Sequence, residues 1–157
     1  MFPRRVYTRD EVHLAKALID KGHRHRLRII GSPTFKEKTK AALRLVKTAK
    51  HYGFLRTYVR AIREVEGLSQ LREEQASIWA NVYAVENAVD AACFFVQKSW
   101  QMKNFIEGKA YYGHQAETES VKVRLSFLED LRRQTDDPAV RAICEERLQM
   151  WNESKYF

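Results

Sequence analysis

The sequence predicts a mainly α-helical fold, or an α+β fold with a small early β element. About five to six helices are expected around one long central helix. Three observations carry this expectation. Residues 34–137 contain no proline, so long helices can run without interruption. Apolar residues recur at three-to-four spacing over most of that stretch, the period of a helix with one buried face. Only one short run, Leu27, Ile29 and Ile30, has strand character, and Gly31 stops it. A chain of 157 residues fits one domain with a real core.

The elements follow in order. Residues 8–21 read as a first helix, with Thr8 and Glu11 spaced as a capping box and Gly22 as the stop. Val12, Ala15, Leu18 and Ile19 form its apolar stripe. After the short strand, Ser32 or Thr34 caps a second helix with Pro33 in its first turn. Phe35, Ala42, Leu43, Val46 and Ala49 make its buried side, and His51-Tyr52-Gly53 closes it. A third helix over about 53–64 uses Phe54, Leu55, Tyr58, Val59 and Ile62, and Gly67 to Ser69 form a turn. The main helix is expected over about 70–106, because Ile78, Val82, Val85, Val89, Cys93 and Val96 recur at helical spacing. Further helices cover about 114–134 and 137–152, separated by the turn signal TDDP.

Composition narrows the function classes. No apolar run reaches the roughly 18 residues of a membrane span. The basic start MFPRRVYTRDEVHL lacks the apolar block of a secretory signal. Cys93 and Cys144 suggest neither a disulfide framework nor a zinc knuckle, so an intracellular, reducing compartment is expected; the basic start leaves a mitochondrial one open. The net charge of +8 hides a split. Residues 1–63 carry 17 Lys/Arg against 4 Asp/Glu, while residues 64–157 carry 11 against 16. Either the basic half meets an anionic partner, RNA or an acidic protein surface, or the two halves pack together and neutralise each other.

The stretch VYAVENAVDAA sharpens the question. On a helix, Glu86 and Asp90 would share one stripe with Trp79, Tyr83 and Phe94. Two carboxylates so placed repel by roughly 0.2–0.5 kcal/mol. Solvent, lysines and arginines, or a cation must compensate. A carboxylate cluster of Glu86, Asp90 and Glu117, with His114, would take a hard divalent cation such as Mg, Ca or Mn; no other cofactor is expected.

The layout resembles the zincin-like metallopeptidases over residues 26–134. RLRIIGSPTFKEKTKAALRLVK is similar to that group's opening strand, Gly-x-Pro-x-Phe turn and helix, and GFLRTYVRAI to the helix that follows. The resemblance implies that Glu86-Asn87-Ala88-Val89-Asp90 stands where the group carries His-Glu-x-x-His, and that Glu117, in YYGHQAETES, stands at the third ligand. Both histidines are missing and Asn87 replaces the general base. The family reading is therefore a scaffold that has lost its zinc site.

Other constellations are less specific. His23 and His25 would point to one side of an extended segment and Arg24 and Arg26 to the other, a solvated basic edge or a metal-binding surface. Arg44 and His51 have the spacing of some helical ribonucleases. Cys93 reads as core. The basic half is the firmer feature. Lys36, Lys40, Arg44 and Lys47 fall on one side of the second helix, and Arg56, Arg60 and Arg63 repeat at helical spacing on the third, with Tyr52 and Tyr58 nearby. Such a pattern suits phosphate contact and base stacking.

The expected function is non-catalytic binding, with the basic half facing RNA or an acidic protein. One alternative is a metal-dependent hydrolase using the carboxylate cluster. Another is a helical accessory subunit of a large assembly, an organellar ribosome or respiratory complex, with the C-terminal WNESKYF as a docking tail.

Overall fold

The computed structural model describes residues 1–154; the last three residues of the expected docking tail lie outside that range. Among the described residues the chain forms six α-helices and one four-stranded sheet, a mainly helical α+β architecture. Helix α1 spans Arg9–Asp20 and is closed by the expected capping box: Thr8 accepts from the Glu11 N–H, and Glu11 reaches back to the Thr8 N–H. Strand β1 is Arg28–Ile30, and α2 is Pro33–Thr48, capped by Ser32 with Pro33 at its first position.

Two sequence expectations are corrected beyond this point. The helix expected over 53–64 ends early: α3 is Tyr52–Tyr58, Val59 turns extended, and Ala61–Glu64 is strand β2. Ile62 is buried because it pairs between β1 and β4, not because it completes a helical stripe. The helix expected over 70–106 begins only at Ala88. Before it lie β3 (Gln70–Arg72), one 3-10 turn (Glu73–Gln75) and β4 (Ser77–Ala80); α4 is Ala88–Ile106. Ala76, in the left-handed region at φ 51°, turns the chain from β3 into β4. The last two helices, α5 (His114–Gln134) and α6 (Pro138–Ser154), start close to where the sequence placed them.

The sheet order is β1-β2-β4-β3, with β1, β2 and β4 parallel and β3 antiparallel at one edge. Alternation sends Ile62, Ile78 and Leu71 to one face, where they are register neighbours and buried. That face packs under α2 and α4. Arg28, Arg63, Trp79 and Gln70 take the other face. The core continues between helices: α4 packs against α1, α2, α3, α5 and α6, burying Val89, Ala92, Cys93, Phe95, Val96 and Met102. At 19 residues α4 is the hub but not the longest element; α5 has 21.

The N-terminal strap docks on the histidines. His25 is only 5% exposed. Phe2 lies against both His23 and His25, and Arg60 donates to the Pro3 carbonyl at 2.9 Å. The two histidines do share a side, but His25 is buried under the strap, not on a solvated edge. Cys93 and Cys144 are both free and buried. No helix among the described residues is long and apolar enough to cross a membrane.

Candidate functional site

The acidic residues are built into the scaffold separately. Asn81 organises the turn after β4, its Oδ1 accepting from the N–H groups of Tyr83 and Ala84. The helix therefore starts later than expected, with Asn87 as its N-cap accepting from the Asp90 N–H at 3.0 Å. Glu86 lies in the turn ahead of that cap and is not on a helical stripe with Asp90. Its carboxylate takes Lys38 Nζ at 3.0 Å.

Asp90 is clamped by two arginines. Arg147 binds it in a bidentate fork, Nε to Oδ1 at 2.9 Å and Nη2 to Oδ2 at 3.1 Å, and Arg124 Nη2 reaches Oδ1 at 3.3 Å. The hydrogen bonds to Asp90 push the Arg147 pKa further up. The clamp ties α4 to α5 and α6. Glu117 and His114 lie exposed in the first turn of α5. The structure does not bring Glu86, Asp90, Glu117 and His114 together, and among the described residues no three His, Cys, Asp or Glu form a group that could hold a metal ion. Burial pushes the Cys93 thiol up to about 12, which keeps it protonated and inert.

Part of the basic set converges. Lys40, Arg44 and Lys47 on α2 line a groove of about 420 Å³ whose other walls are Leu27, Ile29, Leu43 and Tyr52. The groove lies beside β1, one of the two edge strands of the sheet. Lys47 Nζ sits 4.5 Å from the Tyr52 ring centroid and the Arg56 guanidinium 5.7 Å from it. Ile29, on the inward face of β1, and Leu27, just ahead of the strand, supply apolar lining to the groove. Their role beside the lysines depended on α2 crossing that strand.

The other basic candidates go elsewhere. Lys36 is exposed on α2 outside the groove lining. Arg56, Arg60 and Arg63 do not share a helix: they belong to α3, the lead into β2, and β2 itself. Arg56 Nε donates to the His25 carbonyl at 2.7 Å. Arg60 holds the strap with its guanidinium 5.2 Å from the Phe2 ring centroid, and burial lowers its pKa. Arg63 is exposed on the outer face of the sheet. His51 meets Asp130 Oδ2 at 2.8 Å and stacks edge-on against Phe127, so it faces α5 while Arg44 faces the groove.

Charge pairing between the halves is sparse. Among the described residues, only Lys38–Glu86 and His51–Asp130 join a Lys, Arg or His side chain of residues 1–63 to a carboxylate of residues 64–157. The carboxylates of the acidic half that are paired are paired mainly within it, as in Arg72–Glu74, Lys103–Glu107, Arg132–Glu129 and the Asp90 clamp. Among the described residues, no carboxylate pairs with Lys36, Lys40, Arg44 or Lys47. No family model, curated protein or solved structure matches the chain.

Proposed function

We propose that this protein is a non-catalytic binding module whose basic half engages RNA through the α2–β1 groove. One observation carries the reading. Lys40, Arg44 and Lys47 line one groove with Tyr52, and no carboxylate pairs with them among the described residues. Unpaired cations along a groove attract a polyanion, and counterion release makes such binding strong at low salt. An apolar floor with a tyrosine adds a surface on which a base can stack, worth about 1–3 kcal/mol per base. Glu86 and Asp90, two of the four metal candidates, are instead committed to lysine and arginine. In this reading the likeness to zincin-like metallopeptidases concerns the scaffold alone.

The test is fluorescence anisotropy with a labelled single-stranded RNA of roughly 12 nucleotides, enough to cover one short site. Binding is expected to weaken linearly in log–log form as salt rises. Changing Lys40→Glu, Arg44→Glu and Lys47→Glu together should abolish it, and neutralising the three should flatten the salt slope by about 2, at about 0.7 per lost contact on a single strand. Binding that survives the triple reversal would sink the proposal.

A further inference from the structure

A second cleft, of about 590 Å³, lies beyond the carboxyl ends of β2 and β4 and is lined by Glu64, Val65, Glu66, Asn81, Val82 and Tyr83. Its walls are the two connections that leave those strands, and open α/β sheets commonly place ligand crevices at such strand ends. The backbone around it is fixed. The Val65 N–H donates to the Ala80 carbonyl at 3.0 Å, and Asn81 spans the gap to the neighbouring turn. The Asn81 N–H donates to Ser69 Oγ at 2.9 Å and its Nδ2 to the Gly67 carbonyl at 3.1 Å. These two bonds tie the Gly67–Ser69 turn to the cleft wall.

The cleft pairs bare apolar surface with bare negative charge. Val82 is 50% exposed and Tyr83 83%, two large apolar side chains that line the cleft and that the fold leaves in water. Clusters of this kind mark contact sites more often than scattered ones do. Glu64 gives one carboxylate oxygen to the Ser32 N–H at 2.8 Å, and Glu66 is exposed; among the described residues neither has a cationic partner.

We infer that this cleft docks an extended basic peptide of a partner protein, one that sets a lysine or arginine beside an aliphatic side chain. The cation answers Glu64 and Glu66, and the aliphatic group covers Val82 and Tyr83. Charge complementarity selects a basic occupant. The loop is already pinned by Asn81, so little ordering cost attends binding. On α2 the apolar residues Phe35, Leu43 and Val46 are buried, so that helix's cations offer the cleft no exposed aliphatic neighbour among these.

The test uses a fluorescein-labelled six-residue peptide alternating leucine with arginine, and a counterpart alternating leucine with glutamate. Wild type should bind the arginine peptide saturably and not the glutamate one. Tyr83→Ala and Glu66→Lys should each weaken binding at least about tenfold, the loss typical of a central contact. Both side chains are exposed, so circular dichroism and melting should match wild type. The triple groove variant should bind the peptide as wild type does, which separates this site from the RNA reading. Absent binding, equal binding of the two peptides, or undiminished binding by the variants would overturn the inference. Self-association in sedimentation velocity that Tyr83→Ala abolishes would overturn it in favour of a second copy.

Discussion

Asp90 and Glu86 look alike in the sequence and behave differently in the fold. Asp90 anchors three helices through Arg147 and Arg124, whereas the exposed Glu86 holds one half-buried lysine. Removing Asp90 strands two guanidiniums that are mostly shielded from water. Asp90→Ala is expected to lower unfolding stability by about 1–3 kcal/mol, discounted because the aspartate keeps some solvent. Glu86→Gln should change it by less than about 0.5 kcal/mol, as exposed pairs do. Urea titration of the two variants checks the contrast. His25 supplies the pH dependence. Burial, then the charges of His23, Arg60 and Arg56, lower its pKa from 6.5 to about 4. The unfolded chain therefore binds a proton between those values that the folded chain refuses. Stability is full above the unfolded value and declines as pH falls toward 4, by at most about 1.4 kcal/mol per pH unit. His25→Gln should flatten that decline in melts taken from pH 7 to 4.5. Equal slopes in the two proteins would assign the effect to other groups.

At the scale of elements, the turn between β1 and α2 is the tightest join. A Cβ on Gly31 would lie 2.7 Å from Phe35 Cδ1 and 2.8 Å from Glu64 Cβ. Phe35 is buried and Glu64 holds the Ser32 N–H, so neither can move freely. Gly31→Ala should cost about 1–3 kcal/mol, the range for overpacking, read as a lower thermal midpoint. This region was also the most legible in the sequence: the strand, its glycine stop, the Ser32 cap and Pro33 all stand where local chemistry placed them. The stretch from Val59 to Asn87 was not. Ile78 belongs to a strand and Val89 to a helix, yet their spacing continues one helical series across the boundary. Strands of three or four residues, buried mainly by their neighbours in the sheet, carry too short a pattern to compete with it. The signal that could have set the boundary was Asn87 with Asp90 three residues on, an N-cap with an acid in the first turn.

Across the whole molecule, charge is segregated rather than cancelled. The paired carboxylates of the acidic half are paired mainly within it, which leaves the basic half's field directed outward. The groove lysines on α2 could be read from helical spacing because they stay on one helix. Arg60 could not, because its use as a strap anchor depends on Phe2 and Pro3 arriving from the chain's start. If the field steers RNA, association should slow as salt rises while dissociation changes less. Stopped-flow anisotropy on wild type at 50 and 200 mM salt, concentrations that bracket the usual electrostatic range, should show that asymmetry; equal salt effects on both rates would argue against steering.

Strand β1 has β2 on one side only, and the groove occupies the ground beside it. An unpaired strand edge is a template on which a stray extended chain can add itself, the first step toward a fibril. Here Arg26 and Arg28 stand exposed along that edge, and Leu27 sits between them at φ 43°, a conformation that interrupts an extended backbone. Exposed arginines on an edge repel the same arginines of another copy, and the break at Leu27 shortens the template such a copy would need.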